Sequence, residues 1–132
     1  MSLFSSKPKK QTTTDVTFGV TTCQSPTVLG SQNGELRNVS WQQVEDGLEE
    51  VFDDSNQFLV LTLQEIRHNI RFVQAAQCDQ GIVVQLGIEK DNATKLVEKI
   101  CSEWECIDIF KEFYNSSAVK NPQDYTPVEF FV

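Results

Sequence analysis

Histidine is almost missing from this sequence: His68 stands alone. The four cysteines, Cys23, Cys78, Cys101 and Cys106, include no C-x-x-C pair. The clustered Cys and His ligands of a zinc site are therefore lacking, and no metal is expected. Two disulfides would need an oxidising compartment, so buried free thiols are the expectation. No glycine-rich loop of Walker or Rossmann type occurs, and Asp79-Gln80-Gly81 reads as a turn rather than a phosphate cradle. No run approaches the roughly 18 apolar residues that cross a bilayer. Lys7, Lys9 and Lys10 precede no apolar segment, so a secretory leader is not expected and a cytoplasmic location is.

Basic residues are scarce as well. Eleven Lys and Arg face 19 Asp and Glu, for a net charge of −8. Without Lys7, Lys9 and Lys10 the remaining 8 basic residues leave the body at −11. Such a field repels a phosphate backbone, and the aromatics alternate with apolar positions rather than with Lys or Arg. Nucleic-acid binding is thus not expected. A basic protein would be attracted, although acidity also serves plain solubility.

What is present reads as one α+β domain of 132 residues. Residues 1–14 form a polar, Thr- and Lys-rich tail, and residues 15–132 the domain. In residues 15–23, Val16, Phe18 and Val20 alternate with polar positions, a half-buried strand. Asn33-Gly34 favours a type I′ turn between arms at residues 27–29 and 35–39. Ser40 with Gln43 makes a capping box that opens a helix, with Val39 and Val44 as its hydrophobic staple. Its apolar stripe is Trp41, Val44, Leu48, Val51 and Phe52, and Gly47 is a mild fault in it.

Residues 58–88 are the centre of the chain: three β-rich runs separated by two polar breaks, an antiparallel meander. The first, residues 58–63, is apolar on both sides, as in a central strand packed by helices. In the second, Ile70, Phe72, Gln74 and Ala76 share one side, and Arg71, Val73 and Ala75 the other. In the third, Ile82, Val84, Leu86 and Ile88 share a side. Residues 93–114 fit one long helix by period. Ser102 with Glu105 is a second capping box, and favours a strand over 94–101 followed by a helix over 103–114 with the stripe Trp104, Ile107, Phe110, Phe113 and Tyr114. Residues 125–132 read as a last strand, placed near a sheet edge by Pro127. The expected fold is α+β: a mostly antiparallel sheet, a meander, with two principal helices on one face.

The order of these pieces resembles a known family. Val39-Ser40-Trp41-Gln42-Gln43-Val44 is similar to an opening helix with its Trp, and Phe58 to Leu63 to the apolar strand after it. Asn69-Ile70-Arg71-Phe72-Val73-Gln74-Ala75-Ala76, then Gly81-Ile82-Val83-Val84-Gln85, resembles an "I-x-F-V-Q … G … V" hairpin. Ile107 to Tyr114 and Pro127-Val128-Glu129-Phe130 resemble a late helix and a closing strand. Together, over about residues 39–130, they resemble the small α+β immunity proteins of bacterial polymorphic-toxin and contact-dependent systems. Gln85 stands where such proteins often carry Glu, and Glu89-Lys90-Asp91-Asn92 replaces their basic or aromatic residues. The resemblance implies a binding protein that neutralises a cognate toxin by covering its active cleft.

An enzyme needs a nucleophile, a base and a stabilising group that converge. His68 falls in a turn, and Cys78 at the far end of the strand after it, too distant for a Cys–His pair. No catalytic residue and no cofactor are expected. The leading expectation is an immunity-type inhibitor of a basic toxin, with a basic nuclease in view. From charge and exposure the candidate contacts are Glu45, Asp46, Glu49, Glu50, Asp53 and Asp54 on the first helix, with Glu89 and Asp91 in a loop. The bland alternative for the helix is a solvated face. An alternative of another class is a structural or assembly protein that forms a homodimer through its sheet edge or apolar hairpin.

Overall fold

In a computed structural model, residues 26–128 are described. The strand expected over 15–23, Cys23 and the end of the last strand lie outside them. The chain runs β1 (Thr27–Ser31), β2 (Gly34–Arg37), α1 (Trp41–Phe52), β3 (Leu59–Leu63), β4 (Ile70–Cys78), β5 (Gly81–Lys90), β6 (Ala93–Cys101), α2 (Glu103–Ser116) and β7 (Thr126–Pro127). The strands form one antiparallel sheet in the order β2-β1-β3-β4-β5-β6-β7. This is the expected α+β class: a meander, β3 to β6, with two main helices.

The register explains the core. Leu29, Leu61, Val73 and Leu86 lie in one row across four strands, and all are buried. With Leu59, Ala75 and Val84 they form the sheet side of the core, which α1 covers with Val44, Leu48 and Val51 and α2 with Cys106, Phe110 and Phe113. Each fully buried Val, Leu or Phe contributes roughly 1.5–3 kcal/mol of transfer free energy. Gly47 is not a fault. A Cβ there would stand 2.7 Å from Leu59 Cδ1, so the missing side chain lets α1 settle on β3.

Several local readings need correction. The first hairpin forms, but its central residues are Gln32 and Asn33, and the positive φ of +119° belongs to Gly34, after the turn. A type I′ turn needs positive φ at both central residues. That geometry occurs instead between β5 and β6, at Asp91 (φ 54°) and Asn92 (φ 63°). In β4 the register shifts between Ile70 and Phe72. The extra residue, Arg71, puts Ile70 on the helix side against Ile88 and sends Phe72 to the other side, opposite Gly87. Ile70 therefore parts from Phe72, Gln74 and Ala76.

Residues 93–101 are strand, and Ser102 caps α2 by accepting from the Glu105 amide at 3.1 Å. The Glu105 carboxylate does not close the box; it pairs with Lys99 Nζ at 2.5 Å. Trp104 is 80% exposed, not part of the stripe. At about 100° per residue, Trp104 and Phe113 lie on opposite sides of the helix, and Phe113 is the one inside. Pro127 does sit in the edge strand.

Candidate functional site

The helices are arranged head to tail. Trp41 at the start of α1 meets Tyr114 near the end of α2, with ring centroids 5.8 Å apart, and the Tyr114 hydroxyl donates to the Val39 carbonyl at 2.8 Å. At the other end, the Gln77 side-chain amide donates to the carbonyls of Val51 (3.0 Å) and Phe52 (2.8 Å). Gln77 pairs with Ile82, and Ile82 with Cys101, just before α2. The C-terminus of α1 and the N-terminus of α2 thus share one end of the sheet, two strand spacings or roughly 10 Å apart.

That end is acidic. Asp46, Glu49, Glu50, Asp53 and Asp54 are exposed and Glu45 is half-buried. The last turn of α1 holds no basic residue. Carboxylates beside the negative end of a helix dipole cost a few tenths of a kcal/mol each. Part of this is offset locally. Glu50 Oε1 accepts from the Asn56 side-chain amide at 3.0 Å, and Asp53 Oδ1 from the Ser55 hydroxyl and amide at 2.5 and 2.9 Å. The Ser55 hydroxyl, then its amide, hold the Asp53 carboxyl below its ordinary value and keep it charged. Asp46 accepts from Gln42. Glu49 and Glu45 make no such contact among the described residues, and Asp54 takes a left-handed backbone, φ 68°.

The structure places these six carboxylates along α1 and just beyond its end, and the other two candidates elsewhere. Glu89 lies on the sheet side away from the helices, where Arg71 Nε reaches it at 2.9 Å and the Thr94 hydroxyl also donates to it. The Arg71 bond first, and then Thr94, hold Glu89 below its ordinary value. Asp91 occupies the β5–β6 turn, at the opposite end of β5 from Gln77. Neither belongs to the acidic end.

Trp104 does, and periodicity concealed it by matching a broad apolar arc. The helical angle between Trp104 and Phe113 was the signal that could have found it. It opens the exposed side of α2 together with Asp108, one turn on, and Glu103 beside it is exposed too.

A second polar group sits under α2. Lys99 Nζ lies 5.5 Å from the Tyr125 ring centroid, and Tyr125 is buried with no partner for its hydroxyl. Glu105 raises the Lys99 value above its ordinary one. Cys101 and Cys106 are buried free thiols. Their mutual hydrogen bond, and then burial, hold the Cys106 thiol protonated, while the same bond lowers Cys101. Cys78 is half-buried and free. His68 is exposed in the connection before β4, roughly 30 Å of strand from Cys78. Among the described residues no three His, Cys, Asp or Glu side chains gather as a metal site, and no helix is long and apolar enough to cross a membrane.

In comparisons with protein-family models, curated proteins and solved structures, nothing matches this chain.

Proposed function

We propose that this is a non-catalytic protein-binding domain of the immunity type, which inhibits a cognate basic toxin by covering its active site. One observation carries the reading: Glu49, Glu50, Asp53 and Asp54 at the end of α1, with no basic counterpart in its last turn, and the 80%-exposed Trp104 at the start of α2 lie toward the same end of the sheet. Carboxylates steer a basic protein toward that end, and Trp is both the strongest cation–π partner for its Arg or Lys and a common interface anchor. A basic nuclease is the toxin class that this chemistry fits. The resemblance of residues 39–130 to immunity proteins points the same way.

The test is capture of partners by the tagged full chain from its native host, at low and at high salt. A stoichiometric basic partner released by salt, toxic alone and neutralised by added chain, supports the proposal. A partner that is neither basic nor toxic defeats it. With the partner in hand, the double reversal Glu49→Lys with Glu50→Lys slows association about tenfold or more and flattens its salt dependence. Trp104→Ala acts on dissociation instead, by about 30-fold if the side chain is a hot spot. Association rates untouched by the reversal would move the interface elsewhere.

A further inference from the structure

We propose that the sheet face turned away from the helices docks a second copy of this chain, sheet against sheet. The inference does not rest on the toxin reading, since it concerns the opposite side of the molecule. Two of its rows are apolar, and the row between them runs Val60, Gln74, Gln85 and Glu98. Phe72, Gly87 and Leu96 form one row, and Ala76, Val83 and Ile100 another. Ile100 is 42% exposed and the other side chains are half-buried, in contrast with the buried rows beneath the helices.

The hollows at two glycines are filled. Phe72 lies over Gly87 so closely that a Cβ there would strike its ring, and Val60 Cγ1 would be 3.1 Å from a Cβ on Gly30. Side chains leaning over glycines fill the hollows, which suits two sheets stacking about 10 Å apart.

Charge selects the occupant. The carboxylates near the centre are already engaged within the face: Glu89 with Arg71, and Glu98 accepting from the Gln85 side-chain amide at 3.0 Å. A basic partner gains little here, whereas a second copy sets apolar rows against apolar rows and meets polar groups that are already paired within the face. The acidic α1 is left pointing outward in both copies, where the repulsion between two chains of −8 each is weakest.

Area agrees. Seven strands at ~4.8 Å and about 20 Å of strand length give roughly 600–700 Å² per copy, or about 1,200–1,400 Å² in total, at the lower end of standard stable interfaces. Pairing through an edge is disfavoured instead. Among the described residues, β2 has four and carries Glu35 and Arg37, and β7 has two, one of them Pro127.

The test is sedimentation equilibrium of the purified full chain, alone. The expected result is twice 15.0 kDa at roughly 100 μM, well above a micromolar Kd. Ile100→Glu, at a site open enough for the monomer to tolerate charge, weakens association about tenfold or more, and Val83→Lys does the same, because each buries an unpaired charge in the contact. Circular dichroism establishes that both variants fold. A wild-type chain that stays at 15.0 kDa overturns the proposal. If Ile100→Cys in that monomer also resists a thiol reagent, another part of the same chain is the occupant. A dimer indifferent to both charge variants places the contact on another surface and overturns it equally.

Discussion

The two faces of this sheet are built from the same strands, one residue out of step, and their fates differ. Leu61, Val73 and Leu86 are fully buried, while Thr62, Phe72 and Gly87, each displaced by one residue, make a face that no described element covers. Both faces are rich in apolar side chains, so composition does not decide which one receives the helices. The helices decide it, through where their own side chains fit: Gly47 lets α1 approach Leu59, and Phe110 and Phe113 of α2 join the same core. A half-covered apolar sheet is the physical result, and it makes the contrast measurable.

The largest break in the contrast is Phe110→Ala. Phe110 is fully buried, and its loss should cost about 3–5 kcal/mol in urea unfolding. Next comes Gly47→Ala. Helix propensity alone would gain about 1 kcal/mol. Contact with the buried Leu59 side chain should reverse the sign to a loss of about 1–3 kcal/mol by overpacking, and a measured gain would show that α1 or the Leu59 side chain can shift. On the open face, Val83→Ala in dilute protein should cost about 1 kcal/mol or less, since its side chain is only half-buried. A larger loss that grows with protein concentration would mean that the face is covered after all.

The smallest effect is a pH dependence. Glu89 is held below its ordinary 4.5 in the folded chain by Arg71 and Thr94. Its stabilising contribution is therefore fully present above that value and lost as pH falls through the lower, folded one. Glu89→Gln should remove this part of the acid limb of stability and leave neutral-pH thermal unfolding within a few degrees, as for an ion pair at the surface. An unchanged acid limb would assign it to other carboxylates.

Much of this architecture was readable from local chemistry. Ser40 and Gln43 do form both bonds of the capping box, and Ser102 does divide β6 from α2 against a helical period that ran through both. Caps are legible because one side chain answers a nearby backbone amide, a matter of three residues. The misreadings share a different origin. The bulge at Arg71 depends on the register with β5, and the role of Gly47 on what lies beneath α1. The type I′ turn went to Asp91-Asn92, because the strand register around Asn33-Gly34 puts the glycine after the turn. As for the candidate surface, the acidic side of α1 follows from helix spacing alone. That it shares an end with Trp104, and that Glu89 does not, follows only from the path of the chain through the sheet.

The order of the strands also has a kinetic meaning. β3, β4, β5 and β6 pair in succession with one another through short connections, one of them the Asp91-Asn92 turn. Their pairing closes small loops and costs little chain entropy. β1 must find β3 across β2 and all of α1, and β7 must find β6 across all of α2. The meander can therefore zip from its hairpins, while β1 on one side and β7 on the other join by longer closures. The slower, entropy-limited closures then fall at the two seams that enclose a helix, β1–β3 around α1 and β6–β7 around α2.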